Sequence, residues 1–105
     1  MPNDFTDLGR FTDVSLLILL SLADGPKHGY AMMEDIERIT GLRLGPGTLY
    51  GAITRLEERG WIKPVQTNDR RRPYTLTASG REYLKAQLEV LERLLKTTAR
   101  RLKHA

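Results

Sequence analysis

The chain has 105 residues, a formal net charge of +4 and a sequence pI of about 9.7. That length suits one domain with one modest core, and the basic balance favours a polyanionic partner, nucleic acid or a membrane surface. There is no cysteine, which excludes disulfide frameworks and cysteine metal sites and is compatible with a reducing compartment.

Residues 1–11 are polar, with Phe5, Leu8 and Phe11 at three-residue spacing. They read as a lead-in that packs these residues late. Asp4 and Asp7 stand where a signal peptide would carry positive charge. Thr12 or Asp13 can cap the helix expected over residues 13–23. That helix is apolar on nearly every side and is expected to be buried on nearly every side. It is too short to span a bilayer. Asp24, Gly25 and Pro26 end it.

A second helix is expected over residues 28–40, with Tyr30, Met33, Ile36 and Ile39 as its inner stripe and Gly41 as its stop. Lys27 and His28 lie at its N-terminus, where free N–H groups and the helix dipole favour a phosphate. A plain exposed histidine is the other reading of His28.

After the connector Leu42, Arg43 and Leu44 comes the stretch that organises the chain, residues 45–60. Gly45 stands at the cap and Pro46 at the first helical position, where its missing N–H costs nothing. Gly60 stands where a left-handed residue closes a helix. Leu49, Ala52, Ile53 and Leu56 make one apolar face. Thr48, Gly51, Arg55 and Arg59 lie away from it, with Tyr50 and Thr54 on the flank. A small, polar and basic outer face suits a DNA major groove, and equally an ordinary surface helix. Two helices joined by a tight glycine-containing turn, the second with the polar face, follow helix-turn-helix logic.

Residues 61–67 are a candidate strand, an edge strand at best because of Pro64. Residues 73–77 are a second strand, with Tyr74 and Leu76 on one face. Between them lie Asn68, Asp69, Arg70, Arg71 and Arg72. A hairpin tipped with three arginines fits a wing on a phosphate backbone, or else a solvated charged loop. Thr77 can cap a last helix that runs to about residue 103. Leu84, Leu88, Leu91, Leu95, Thr98 and Leu102 recur at four- and three-residue steps, an a/d heptad. A helix that folds back on its own core absorbs Leu84 and leaves the distal leucines in water; a second copy of the chain is the simplest cover.

At this point HGYAMMEDIERITG, LGPGTLYGAITRLEERGWI and RRRPYTLTASGREYL, in that order, resemble the PadR family of transcriptional regulators. The resemblance covers residues 28–84. Its marks are His28-Gly29-Tyr30, Pro46-Gly47-Thr48-Leu49-Tyr50, Arg55-Leu56-Glu57 and the arginine-rich turn before Tyr74-Thr75-Leu76-Thr77. It departs from the family in Gly45, where serine is usual, and in Gly51, where proline is frequent. A glycine inside a helix costs roughly 1 kcal/mol, although Gly51 can also admit close approach of the backbone to DNA. The single C-terminal helix resembles the short subgroup.

The resemblance implies a mainly α fold with a small β-hairpin. Residues 1–77 form the winged helix-turn-helix domain and 78–105 the dimerisation helix. It implies a dimeric, sequence-specific regulator, a repressor relieved by a small effector, on a near-palindromic double-stranded operator; Trp61 and the aromatic lead-in at Phe5 and Phe11 point to an aromatic or apolar effector. The candidate DNA contacts are Lys27, His28, Tyr30, Gly47, Thr48, Tyr50, Gly51, Thr54, Arg55, Arg70, Arg71 and Arg72. The candidate dimer contacts are Leu84, Leu88, Leu91, Leu95 and Leu102. Trp61 and Phe11 are candidates for the effector site, Trp61 being also readable as a packing residue. No nucleophile–base pair, phosphate-binding glycine loop or metal-ligand set is visible, so no enzyme activity, cofactor or metal is expected, and the expected place is the cytoplasm, off the membrane. The competing class is a winged-helix interaction module that docks an acidic protein.

Overall fold

The computed structural model describes residues 13–68 and 70–105. Its elements are α1 (Val14–Ser21), a 3₁₀ turn (Leu22–Asp24), β1 (Lys27–His28), α2 (Gly29–Thr40), α3 (Pro46–Glu58), β2 (Ile62–Pro64), β3 (Pro73–Leu76) and α4 (Ala78–Lys103). Phe5, Leu8, Phe11 and Thr12 lie outside the described residues.

Each helix begins where a cap is available. Asp13 accepts the Ser15 N–H at 2.9 Å and opens α1. Gly45 has no side-chain cap to give, but its carbonyl accepts the Leu49 N–H at 3.0 Å and Pro46 fills the first helical position. α3 closes through a two-bond turn. The Gly60 N–H donates to the Glu57 carbonyl at 3.0 Å and the Trp61 N–H to the Leu56 carbonyl at 3.1 Å. That geometry needs a left-handed residue, and Gly60 has φ of +76°.

The core lies among α1, α2, α3, the sheet and the start of α4. Leu17, Ile18, Leu19, Leu22, Met32, Ile36, Leu49, Ala52, Ile53, Leu56, Ile62, Tyr74, Leu76 and Leu84 are all buried in it. α1 is not covered on every side as its composition suggested. Leu20 is exposed, and Val14, Ser15 and Leu16 are only partly covered, because α1 lies along one side of the small domain.

The sheet has three strands in the order β1-β3-β2, all antiparallel. β1 was not foreseen. It is two residues long, Lys27 opposite Tyr74 and His28 opposite Pro73, and two residues show no periodicity to read. Pro73 stands first in the central strand, where its missing N–H does least harm, and β2 with Pro64 is at the edge. Tyr74 and Leu76 face the core, as expected.

β1 also explains a correction in α2. The buried positions are Gly29, Met32 and Ile36, whereas Tyr30 and Ile39 are each 55 % exposed. The inner face is thus turned by less than one residue step from the Tyr30–Met33–Ile36–Ile39 stripe: Ile36 is common to both, Met33 stays at the margin, and Gly29 and Met32 take the inner places of Tyr30 and Ile39. The pairing of His28 with β3 sets the direction in which α2 leaves the sheet, and Tyr50 lies directly over Gly29.

α4 is joined to the domain at its first turn. Thr77 Oγ1 donates to the Gly60 carbonyl at 2.6 Å and accepts the Gly80 N–H at 3.0 Å, while the Thr77 N–H donates to the Trp61 carbonyl at 3.0 Å. A Cβ at Gly80 would stand 2.0 Å from the Trp61 carbonyl oxygen. Glycine at 80 is what lets the helix sit this close. Leu84 completes the core at 6 % exposure. The chain covers it by itself, the alternative the sequence left open for this position. Beyond it the leucines are bare, with Leu88 at 46 %, Leu91 at 40 %, Leu95 at 71 % and Leu102 at 73 %. The 26-residue helix is about 39 Å long, and the whole molecule measures 56 × 33 × 20 Å.

Candidate nucleic-acid interface

The burial of Leu49, Ala52, Ile53 and Leu56 settles which side of α3 faces out. Thr48, Tyr50, Thr54 and Arg55 are exposed and Gly51 is partly so. Thr54 Oγ1 donates to the Tyr50 carbonyl at 2.9 Å, which keeps the hydroxyl close to the helix. Gly47 has open space where a Cβ would be. At Gly51 a Cβ would meet only Arg55 Nη1 at 3.6 Å. The outer surface of α3 is therefore low along the Gly47–Gly51 line, with the Arg55 guanidinium lying beside it.

The wing arginines come back towards this helix. A cleft of about 320 Å³ is lined by His28, Gly29, Tyr30, Tyr50, Arg70, Arg71, Arg72 and Tyr74. Residues far apart in sequence, from the start of α2, from α3 and from the wing, thus share one concave surface. Arg71 Nη1 stands 3.4 Å from His28 Nε2. The ring of Tyr50 closes over Gly29, where a Cβ would come within 2.4 Å of its hydroxyl oxygen. Sequence reasoning missed Gly29 as an individual. It stands inside the His28-Gly29-Tyr30 motif, but its reason is the tyrosine above it.

Lys27 is placed differently from the expectation. Its ammonium donates to the Ser21 carbonyl and to Asp24, and its side chain is only 19 % exposed. Alternation along β1 turns Lys27 towards the α1 turn and His28 towards the wing. Lys27 is therefore a structural cation. Close by, Ser21 Oγ donates to Asp35 at 2.7 Å and Arg38 donates to the same carboxylate at 2.9 Å. The serine hydrogen bond, with help from Arg38 and Lys27, holds the Asp35 carboxyl below its ordinary range against the opposing effect of burial.

Trp61 stacks on Tyr83 of α4 with ring centroids 3.9 Å apart and planes 17° from parallel. The Arg59 guanidinium lies 5.3 Å from the Trp61 ring. Neither partner was singled out from the sequence. Phe11, the other effector candidate, lies outside the described residues.

The model of the PadR-like family of transcriptional regulators matches residues 18–86. The chain belongs to that family. It is 47 % identical over 85 residues to an uncharacterised 37.1 kDa protein of a Streptomyces fradiae transposon, which covers 81 % of this chain and 25 % of that protein. The chain thus spans about a quarter of the length of that relative. It is 37 % identical to a transcriptional regulator of Mycobacterium tuberculosis over 77 % of this chain and 78 % of the other. Among solved structures, a transcriptional regulator from Clostridium thermocellum superposes with a TM-score of 0.73 at 32 % identity, covering 90 % of this chain and 93 % of that one. Bacillus subtilis PadR in complex with operator DNA superposes with a TM-score of 0.63 at 25 % identity, covering 71 % of this chain and 46 % of that one. The family is one of transcriptional regulators, not enzymes. Among the described residues no helix is long and apolar enough to cross a membrane.

Proposed function

We propose that this chain is a dimeric, sequence-specific DNA-binding repressor, acting in the cytoplasm, that releases its operator when a small apolar or aromatic effector binds. The observation that carries the DNA reading is the shared cleft, in which His28, Tyr30, Tyr50 and three wing arginines face the same space beside the outer face of α3. The solved complex of the Bacillus subtilis relative with operator DNA supports it. In this reading Gly47, Thr48, Gly51, Thr54 and Arg55 enter the major groove, and Arg70, Arg71 and Arg72 lie on phosphates. Residues 78–105, through Leu88, Leu91, Leu95 and Leu102, join two copies so that their recognition helices reach successive major grooves about 34 Å apart.

The test is a selection of bound sequences from a random DNA pool, followed by titration of the selected duplex over a range of salt. Arg55→Ala should cost roughly 1–3 kcal/mol and relax specificity at one base position per half-site. Neutralising Arg70, Arg71 and Arg72 together should flatten the slope of log K against log salt by about one unit per lost phosphate contact, on specific and random DNA alike. A triple variant that keeps the parent slope makes the wing a solvated loop.

In this reading the effector binds beside Trp61, where α4 meets the DNA-binding lobe and where Arg59 and Tyr83 lie against the ring. Flat aromatic compounds should quench the Trp61 fluorescence and weaken DNA binding over the same concentration range. Quenching with unchanged DNA affinity leaves a binding site without regulation.

A further inference from the structure

The end of α3 and the start of α4 are tied together by residues bonded on both sides. The Gly60 N–H donates to the Glu57 carbonyl of α3, and the Gly60 carbonyl accepts from Thr77 Oγ1 at the cap of α4. The Trp61 N–H donates to the Leu56 carbonyl of α3, and the Trp61 carbonyl accepts from the Thr77 N–H. Thr77 Oγ1 in turn accepts the Gly80 N–H inside α4. The side chains repeat the arrangement, for the Trp61 ring lies on Tyr83 of α4 with centroids 3.9 Å apart. Gly80 makes this joint close and also stiff. A Cβ there would stand 2.0 Å from the Trp61 carbonyl oxygen and 2.9 Å from its carbon. Both are backbone atoms held to α3, so neither can turn aside as the end of a side chain would. The glycine lets α4 come in this far, and the Thr77 bonds keep it from moving away.

α4 is a long arm on this joint. Leu102 lies about 33 Å from Gly80 along the helix, so a tilt of about ten degrees at the joint displaces it by about 6 Å, roughly two base-pair steps of duplex DNA. We propose that Thr77 and Gly80 are positioning residues for operator spacing: they fix the angle of α4 on α3, so that the dimer reads two half-sites at one separation. The inference rests on the proposed dimer and its operator, and it involves no residue placed at the DNA. The two recognition helices are then the ends of one rigid path that runs through both joints and the paired α4 helices. An error at either joint reaches the far recognition helix enlarged by the length of α4.

The test varies the DNA as well as the protein. The operator selected from the random pool is rebuilt with its half-sites moved together or apart in single base-pair steps. Binding of the full chain is titrated by gel shift, with circular dichroism and light scattering as checks of folding and pairing. The parent should bind one separation best and lose roughly tenfold or more for a change of one base pair either way. Thr77→Val keeps the amide but removes both hydroxyl bonds, and it should bring the neighbouring separations to within about threefold of one another. Gly80→Ala pushes α4 away from Trp61 and should move the best separation by about one base pair or more. Both variants should keep the affinity of the parent for a random-sequence duplex. Folded, dimeric variants with the spacing profile of the parent, or a parent indifferent to spacing, would overturn the role given to the joint and leave the DNA reading standing. A parent that binds no duplex DNA overturns that reading and this one with it. Hydrogen exchange on the DNA-free parent needs no variant: the amides of Trp61, Thr77 and Gly80 should exchange as slowly as the core amide of Ile53, although the first turn of a helix ordinarily frays. Fast exchange at Thr77 and Gly80 overturns a fixed joint, whatever the variants do.

Discussion

α3 and α4 are both amphipathic, and the chain treats them in opposite ways. The apolar side of α3 is covered completely: Leu49 and Ala52 at 0 %, Leu56 at 1 % and Ile53 at 2 % exposure. The apolar side of α4 is covered only at Leu84, and Leu95 and Leu102 are more than 70 % exposed. Both carry an apolar stripe at helical spacing, but α4 has 26 residues against 13 in α3. What distinguishes them is supply. α1, α2 and β2 pack on α3 from the same chain, whereas α4 runs past the end of the described residues that could cover it. An apolar stripe can be finished inside the fold or left for a partner, and the second is what the proposed dimer needs. Leu88, Leu91, Leu95 and Leu102 are therefore the residues through which a second copy is proposed to bind.

The largest way to break this contrast is to charge the bare stripe. Leu91→Glu should place like charges near the symmetry axis of the proposed dimer and lose the burial of two leucines, each worth roughly 1.5–3 kcal/mol. A monomer should result, with operator affinity reduced by about a thousandfold or more towards the nonspecific level, although no DNA-facing residue has changed. Light scattering beside a gel-shift titration reads this. A variant that remains dimeric would take the stripe out of the interface.

A pair of truncations sharpens the contrast further. Leu49→Ala opens a cavity in a covered face and should cost about 2–5 kcal/mol of stability, the same at every protein concentration. Leu95→Ala should leave the monomer fold unchanged and lower the melting temperature only where dilution matters. Melting both variants at several concentrations separates them. Equal, concentration-independent losses would mean that α4 is covered within one chain.

The smallest effect belongs to the compact half alone. Asp35 is held below its ordinary range chiefly by the Ser21 hydroxyl. Its contribution is therefore present above the ordinary aspartate pKa of about 3.9 and fades as pH falls through the lower folded value. Asp35→Asn should remove that part of the acid dependence and leave pairing through α4 unaltered. Urea melts between neutral and acid pH give the comparison, and an unchanged acid profile would make the Ser21–Asp35 bond energetically silent.

Local chemistry was legible from the sequence wherever neighbours in the chain decide it. The Asp13 and Thr77 caps, the Gly45–Pro46 start and Gly60 stop of α3, its Leu49–Ala52–Ile53–Leu56 face, Pro64 at a sheet edge and the Tyr74–Leu76 face all follow from backbone geometry within a few residues. The tertiary structure decided what depends on distant residues. β1 exists only because β3 lies beside it, and that pairing rotates α2 so that Met32 faces in and Tyr30 out. Gly29 and Gly80 matter because Tyr50 and the Trp61 carbonyl approach them from elsewhere in the chain. Lys27 and His28, adjacent in sequence and both read there as candidate phosphate contacts, part company because alternate residues of a strand face opposite ways, one to Asp24 and one to Arg71. Periodicity tells which residues of a helix share a face; only the packing of the other elements tells which face is covered, and by what.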